Sequence, residues 1–142
     1  MSESNPLDLP VQFGPGTSPL YQVINWWAYE VLTYRDIAVG SNGHNPLNRW
    51  VHDFVGALHI RQAIARALEP NEGVKLPEPA SLKAVDSLHL GSTVPDERRF
   101  LRLLEPNFDE LASNPSWWWW GRFPPAGAVF DEMLAIVDGD TA

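Results

Sequence analysis

The sequence predicts an all-α fold: a compact bundle of five or six helices around a long central helix at about residues 46–69. Three observations carry this. Apolar residues recur at three- and four-residue steps through 18–39 and again through 46–69. Proline, glycine and hydroxyl residues punctuate the chain at the ends of those segments. No stretch alternates at period two for long enough to predict a strand. The 142 residues, 44% of them hydrophobic, suffice for one domain with a real core.

Taken in order, residues 1–16 carry Pro6, Pro10, Pro15, Gly14 and Gly16 and read as an extended N-terminal arm. Residues 17–142 read as a single helical domain. Thr17-Ser18-Pro19 resembles a cap followed by proline at the first helical position. Leu20, Val23, Ile24, Trp27, Val31, Tyr34 and Ala38 then form an apolar seam that predicts a helix over 18–39, closed by Gly40. Gln22, Asn25, Tyr29, Thr33 and Asp36 fall on its other side. Asn45-Pro46 opens the central helix by the same logic. Its seam is Leu47, Val51, Phe54, Leu58, Ala65 and Leu68, with Trp50, Ala57, Ile60 and Ile64 as a second apolar strip. A helix apolar around so much of its girth belongs at the middle of a bundle. Asn48, His52, His59, Gln62 and Arg66 form its polar stripe, and Pro70 stops it.

Residues 70–80 read as a loop. Ala80–Leu90 fits a short amphipathic helix closed by Gly91. Thr93 and Asp96 have the spacing of a capping box before Phe100, Leu101, Leu103 and Leu104. Pro106 ends that helix, and Phe108 and Leu111 suggest one further turn. A final helix is expected over about 126–138 with Val129, Phe130, Met133, Leu134 and Val137 inward.

Charge narrows the function. The formal net charge is −8, which argues against nucleic acid and against anionic membrane surfaces as partners. Residues 1–102 hold eleven acidic and nine basic residues. Residues 103–142 hold seven acidic residues and only Arg122, a net −6 in the last forty residues. Such an end predicts a partner protein with a basic surface. There is no cysteine for a disulfide or thiolate metal site. No apolar run approaches a membrane span, and MSESNPLDLP lacks the basic and apolar regions of a signal peptide, so the expected location is the cytoplasm.

Trp117-Trp118-Trp119-Trp120 is the most unusual segment. Asn114-Pro115 and Gly121 bracket it as one or two helical turns. At about 100° per residue, Trp117 and Trp120 share a face and are the expected core pair. Trp118 and Trp119 then point elsewhere: all four are buried if the segment threads between helices; otherwise the two line a small-molecule pocket or face a partner or a second copy, with Asp109 and Glu110 as polar rim and Arg122 stacked on a Trp face. These five are the candidate partner-binding residues.

Catalytic templates are scarce. There is no GxSxG elbow, no P-loop and no GxGxxG, so no cofactor is expected. His52-Asp53 on an all-α chain resembles the HD phosphohydrolases, in which a separate His, an HD pair and a later Asp bind metal. The resemblance covers only this dipeptide and the fold class. It implies metal-dependent hydrolysis, with His44, His52, Asp53 and His59 as the candidate ligands and Asp86 as a further acid. Seven residues of helix separate His52 from His59 by about 10.5 Å, whereas helical metal pairs use three- or four-residue spacing. The favoured expectation is therefore a small acidic helical protein-binding module, of the inhibitor or immunity type, that masks a basic surface. The alternatives are an HD-type hydrolase and a homodimeric structural or regulatory subunit.

Overall fold

A computed structural model of the chain describes residues 6–39, 49–69 and 76–139, with side chains at 7–33, 50–69 and 76–138. It is 66% helical, and the described residues form six α-helices and two small antiparallel sheets. The helices are α1 (Leu20–Val39), α2 (Arg49–Leu68), α3 (Ala80–Ser92), α4 (Phe100–Leu104), α5 (Phe108–Ala112) and α6 (Ala128–Gly139). The mostly helical bundle is as expected. The central helix begins by Arg49, and its expected start at 46–48 lies outside the described residues.

The N-terminal segment departs from expectation. It is a hairpin, not a bare arm: a 3-10 turn at Pro6–Asp8 leads into β1 (Pro10–Phe13), which pairs with β2 (Gly16–Pro19). Gly14 and Pro15 make the turn. Pro15 holds a negative φ, which excludes a type I′ turn, and Gly14 at φ +62° supplies the positive φ that type II′ needs first. Phe13 faces Gly16 and Val11 faces Ser18. Leu20 N donates to Leu9 O at 2.8 Å and continues that series. Pro10 and Pro19 face each other at the intervening positions, where a strand N–H points away from its partner. Both prolines thus sit where the missing donor costs the ladder nothing. Pro19 ends a strand and does not open α1 as its first residue.

Leu20, Val23, Ile24, Trp27 and Val31 of α1 are buried against α2 and α3. The α2 helix packs against α1, β1, α6 and the Trp segment. It is therefore enclosed on several sides, and residues 61–65 are all buried. Gln62 belongs to this buried run, not to the polar stripe, because Trp120 lies over it. The α3 helix runs through Gly91 to Ser92. The Ser92 and Thr93 hydroxyls donate to the carbonyls of Leu88 and His89 and close the last turn in place of a glycine cap.

A second, two-residue ladder, β3 (Val94–Pro95) with β4 (Arg122–Phe123), ties the end of α3 to the two residues that follow Gly121. It is too short to leave an alternating pattern in sequence. The expected capping box at Thr93 does not form. Instead the Asp96 carboxylate accepts from Phe100 N at 3.0 Å and Leu101 N at 2.9 Å, capping α4 across a turn in which Arg99 takes φ 56°. Asp96→Ala should therefore cost roughly 1–2 kcal/mol in urea unfolding, at the upper end of cap losses because two helix amides lose their acceptor. A cost within error of zero would show that α4 forms without it. In the core, Phe123 meets Phe54 and Phe100 edge-on, each at 5.1 Å between ring centroids. Val129 and Met133 of α6 are buried in the same core.

Candidate functional site

The four tryptophans are built into this chain in an order the helical wheel does not give. Asn114 opens the segment: its carboxamide oxygen accepts from Ser116 N at 2.9 Å, and its carbonyl from Trp117 N at 3.0 Å. Trp117 itself is not helical, with φ −98° and ψ 58°, and a 3-10 turn follows at Trp118–Gly121. The wheel that pairs Trp117 with Trp120 therefore does not apply. Trp119 and Trp120 are the fully buried pair, and Trp117 and Trp118 are half-buried. The segment crosses α2. Trp120 Nε1 donates to Gln62 Oε1 at 2.7 Å, and Trp117 Nε1 donates to Glu69 at 3.3 Å. The Arg61 guanidinium lies 4.2 Å from the Trp119 ring centroid. Trp118 packs edge-on against Trp119 and beside His89.

The other sequence candidates separate. Arg122 does not stack on a tryptophan. It donates to Thr93 Oγ1 at 2.9 Å, to Thr93 O at 2.6 Å and to Leu90 O, bracing the β3–β4 ladder. Asp109 and Glu110 are exposed on α5, and Asp109 stands 3.9 Å from Arg102. The acidic end is likewise divided. Glu105 is buried and bonded to His59 Nε2 at 2.6 Å and to Asn107 N. Glu132 is buried and accepts from Val51 N. The last forty residues thus do not present their acids as one face.

The metal candidates do not gather. His52 and Asp53 are exposed, His59 is engaged by Glu105, and His44 lies outside the described residues. Among the described residues no group of three or more His, Cys, Asp or Glu side chains is placed to hold an ion.

Sequence reasoning missed a buried charged network. Arg61, only 2% exposed, grips Asp86 with Nε on Oδ1 at 2.9 Å and Nη2 on Oδ2 at 3.0 Å. Trp27 Nε1 donates to the same Oδ1 at 3.0 Å. Three helices meet at one carboxylate. Burial raises the Asp86 pKa, and Arg61 and Trp27 work against that rise. His89, one turn on, is fully buried between Trp27, Phe54 and Trp118. Burial first, then the positive charges of Arg122 and Arg61, lower its pKa from 6.5 to about 3. A signal existed. Asp86 and His89 follow Leu82 and Val85 at three- and four-residue steps, and Arg61 sits between Leu58 and Ala65 in the same way. Polar residues at apolar spacing mark a buried network.

The second missed feature is on the surface. Along the solvent side of α1 stand Tyr21 at 48% exposure, Tyr29 at 69% and Leu32 at 42%, with Gln22 and Asn25 also exposed. Half-buried Trp26 flanks them, met at a tilt by the ring of Phe13 of the hairpin, 6.3 Å away between centroids and itself 37% exposed. Over residues 20–33 the helix carries one ionisable charge, Glu30. The Glu30 pKa is raised by burial and then by the nearby Asp53 carboxylate. Among the described residues the remaining exposed large apolar side chains, Leu90, Val94 and Leu103, sit on α3, β3 and α4.

A cleft of about 520 Å³ between the hairpin lead-in and the start of α3 is lined by Leu7, Leu9, Leu68 and Leu76, with Glu78 as its charged residue. Among the described residues no helix is long and apolar enough to cross a membrane. Compared with known protein families, with curated proteins and with solved structures, the chain matches none of them.

Proposed function

We propose that this chain is a protein-binding module, of the inhibitor or immunity type, that acts by covering a surface of another protein. The observation that carries it is the outer face of α1. Interfaces are depleted of charge at their centre and enriched in Tyr, Trp and Phe, and alanine scans find their anchors among Trp and Tyr. An exposed helix normally spends that face on Lys, Glu and Arg. Here the face offers Tyr21, Trp26, Tyr29 and Leu32, with Phe13 alongside and amide side chains between them. An isolated exposed apolar residue needs no explanation, but an uncharged run along three turns of one helix does. The sequence offered Trp118 and Trp119, with Asp109, Glu110 and Arg122, as the docking residues. Burial of Trp119 and Trp120 moves the better surface to α1.

Site-specific photo-cross-linking in the cells of origin tests this. A photoreactive residue at Tyr29 should give a discrete adduct with a different protein, and the same residue at exposed Lys83 on α3 should not. The purified partner should then bind the Tyr29→Ala chain about 30-fold more weakly by calorimetry, a loss of about 2 kcal/mol. Equal adducts at both positions, or an unchanged affinity, would overturn the reading.

A further inference from the structure

Resting on that reading, we infer that the α1 face receives a protein surface whose apolar strip is bordered by Lys or Arg, and that a second copy of this chain is not its occupant. The charge around the face carries this. Residues 1–34 contain no Lys, Arg or His; their ionisable side chains besides tyrosine are Glu3, Asp8 and Glu30. The hairpin and the first turns of α1 therefore contribute no positive charge of their own; exposed Arg66 of α2 shares a cleft with Pro10, Gln12 and Gly14 on the α2 side of the hairpin. Asp8 is exposed on the 3-10 turn that packs against α1. Glu30 borders the aromatic row on its own helix, and exposed Asp53 of α2 lies close enough to Glu30 to act on its carboxyl. Among the described residues the face is neutral and aromatic at its centre, with Glu30 and Asp53 at one border and Asp8 on the turn that packs against its helix.

Complementary potentials select partners and set the association rate, whereas like charges brought together cost affinity. Two copies docked through this face would oppose these carboxylates, in chains that each carry a net −8. A partner with basic borders meets them favourably. Its apolar strip would cover Tyr29 and Leu32 while its cations pair with Glu30, Asp53 and Asp8. The contribution of those pairs is to orientation and on-rate, and that of the aromatic row to residence time.

Three short helical peptides serve as probes, titrated into the ¹⁵N-labelled full chain. The first bears a Leu/Trp strip flanked by Lys and Arg. The second has the same strip flanked by Glu. The third has the composition of the first in an order that breaks the strip. The first should shift the amides of Phe13 and residues 21–33. Its affinity should fall about tenfold between low and high salt, and about tenfold or more on Tyr29→Ala. Glu30→Gln with Asp53→Asn should weaken the salt dependence and leave the apolar anchoring. Equal binding of the Glu-flanked probe would overturn the charge assignment and leave the protein-binding reading standing. Equal binding of the scrambled basic probe would reduce the effect to bulk attraction and overturn the inference. Shifts confined to other elements would overturn both. Sedimentation showing a dimer that Tyr29→Ala dissociates would overturn the choice of occupant.

Discussion

Arg61→Ala should lower unfolding stability by roughly 3–5 kcal/mol, read as the shift of the urea midpoint at constant slope. That is a large part of the roughly 5–15 kcal/mol by which a domain is stable. The cause is not the worth of an ion pair as such. A buried pair gains little over apolar residues of the same shape, but breaking one leaves a charge uncompensated away from water. Arg61 and Asp86 are both buried, and two of the guanidinium nitrogens are bound to the two oxygens of one carboxylate. Without Arg61, Asp86 keeps only the Trp27 indole among its described donors, and the Trp119 ring loses the cation over it. The pH dependence follows from the sign of the Asp86 shift. Its folded pKa is already raised by burial, and Arg61 is the largest influence lowering it. In Arg61→Ala it rises further above the unfolded value. A carboxyl so raised favours the fold when protonated and loses that support as pH rises through the folded pKa. The deficit should be greatest at neutral pH and shrink on acidification. Arg61→Met with Asp86→Asn removes both charges and keeps an acceptor for Trp27, so it should recover much of the loss. A single-variant cost below about 1 kcal/mol would show that the pair does not hold these helices together.

The helices were legible because their burial repeats. Leu20, Val23, Ile24, Trp27 and Val31 are all buried, as their spacing requires, and so are Val51, Phe54, Leu58, Ala65 and Leu68. The hairpin was not, because a strand of four residues with one buried position, Val11, leaves no alternation to detect. Its only signal was chemical: Gly14-Pro15 between two short segments, with a proline at each far end. The tryptophans misled for a different reason. A helical wheel assumes the helix begins where the caps suggest, and Trp117 lies outside the 3-10 turn, so Trp119 takes its place beside Trp120 in the buried pair. The acidic tail misled because a charge sum ignores burial. Glu105 and Glu132 answer a histidine and a backbone amide inside the fold. The α1 face was readable but unread. Gln22, Asn25, Tyr29, Thr33 and Asp36 stood out as the outer side, and what mattered was that the first four of them carry no charge.

The pH profile of stability should carry a component from His89, and that component decides what Trp118 is for. In the unfolded chain a histidine titrates near 6.5. In the fold His89 is held neutral down to about 3. Below pH 6.5 the unfolded state thus binds a proton the folded state refuses, and stability falls as pH drops. The loss begins near 6.5, proceeds at about 1.4 kcal/mol per pH unit, and on the order of 4–5 kcal/mol is gone by pH 3. The raised carboxyls of Asp86 and Glu30 act in the opposite sense and temper the acid end of that window. His89→Gln stays neutral throughout. It should be less stable than the parent at neutral pH, because the packed ring is lost, yet its stability should fall less steeply from pH 6.5 to 4, by about one proton's slope. Parallel profiles would mean that His89 titrates alike folded and unfolded. Trp118 packs against His89 at 5.7 Å and, unlike Trp27 and Phe54, is only half-buried. If its work is to seal the imidazole from water, Trp118→Ala should move the His89 pKa back toward 6.5, which NMR titration of the ring protons measures directly. The acid slope should then shrink even though Trp118→Ala leaves the histidine in place. A Trp118 that served only as a docking residue would leave both the ring titration and the slope unchanged. The experiment therefore separates a tryptophan that closes the core from one that meets a partner, without the partner being in the tube.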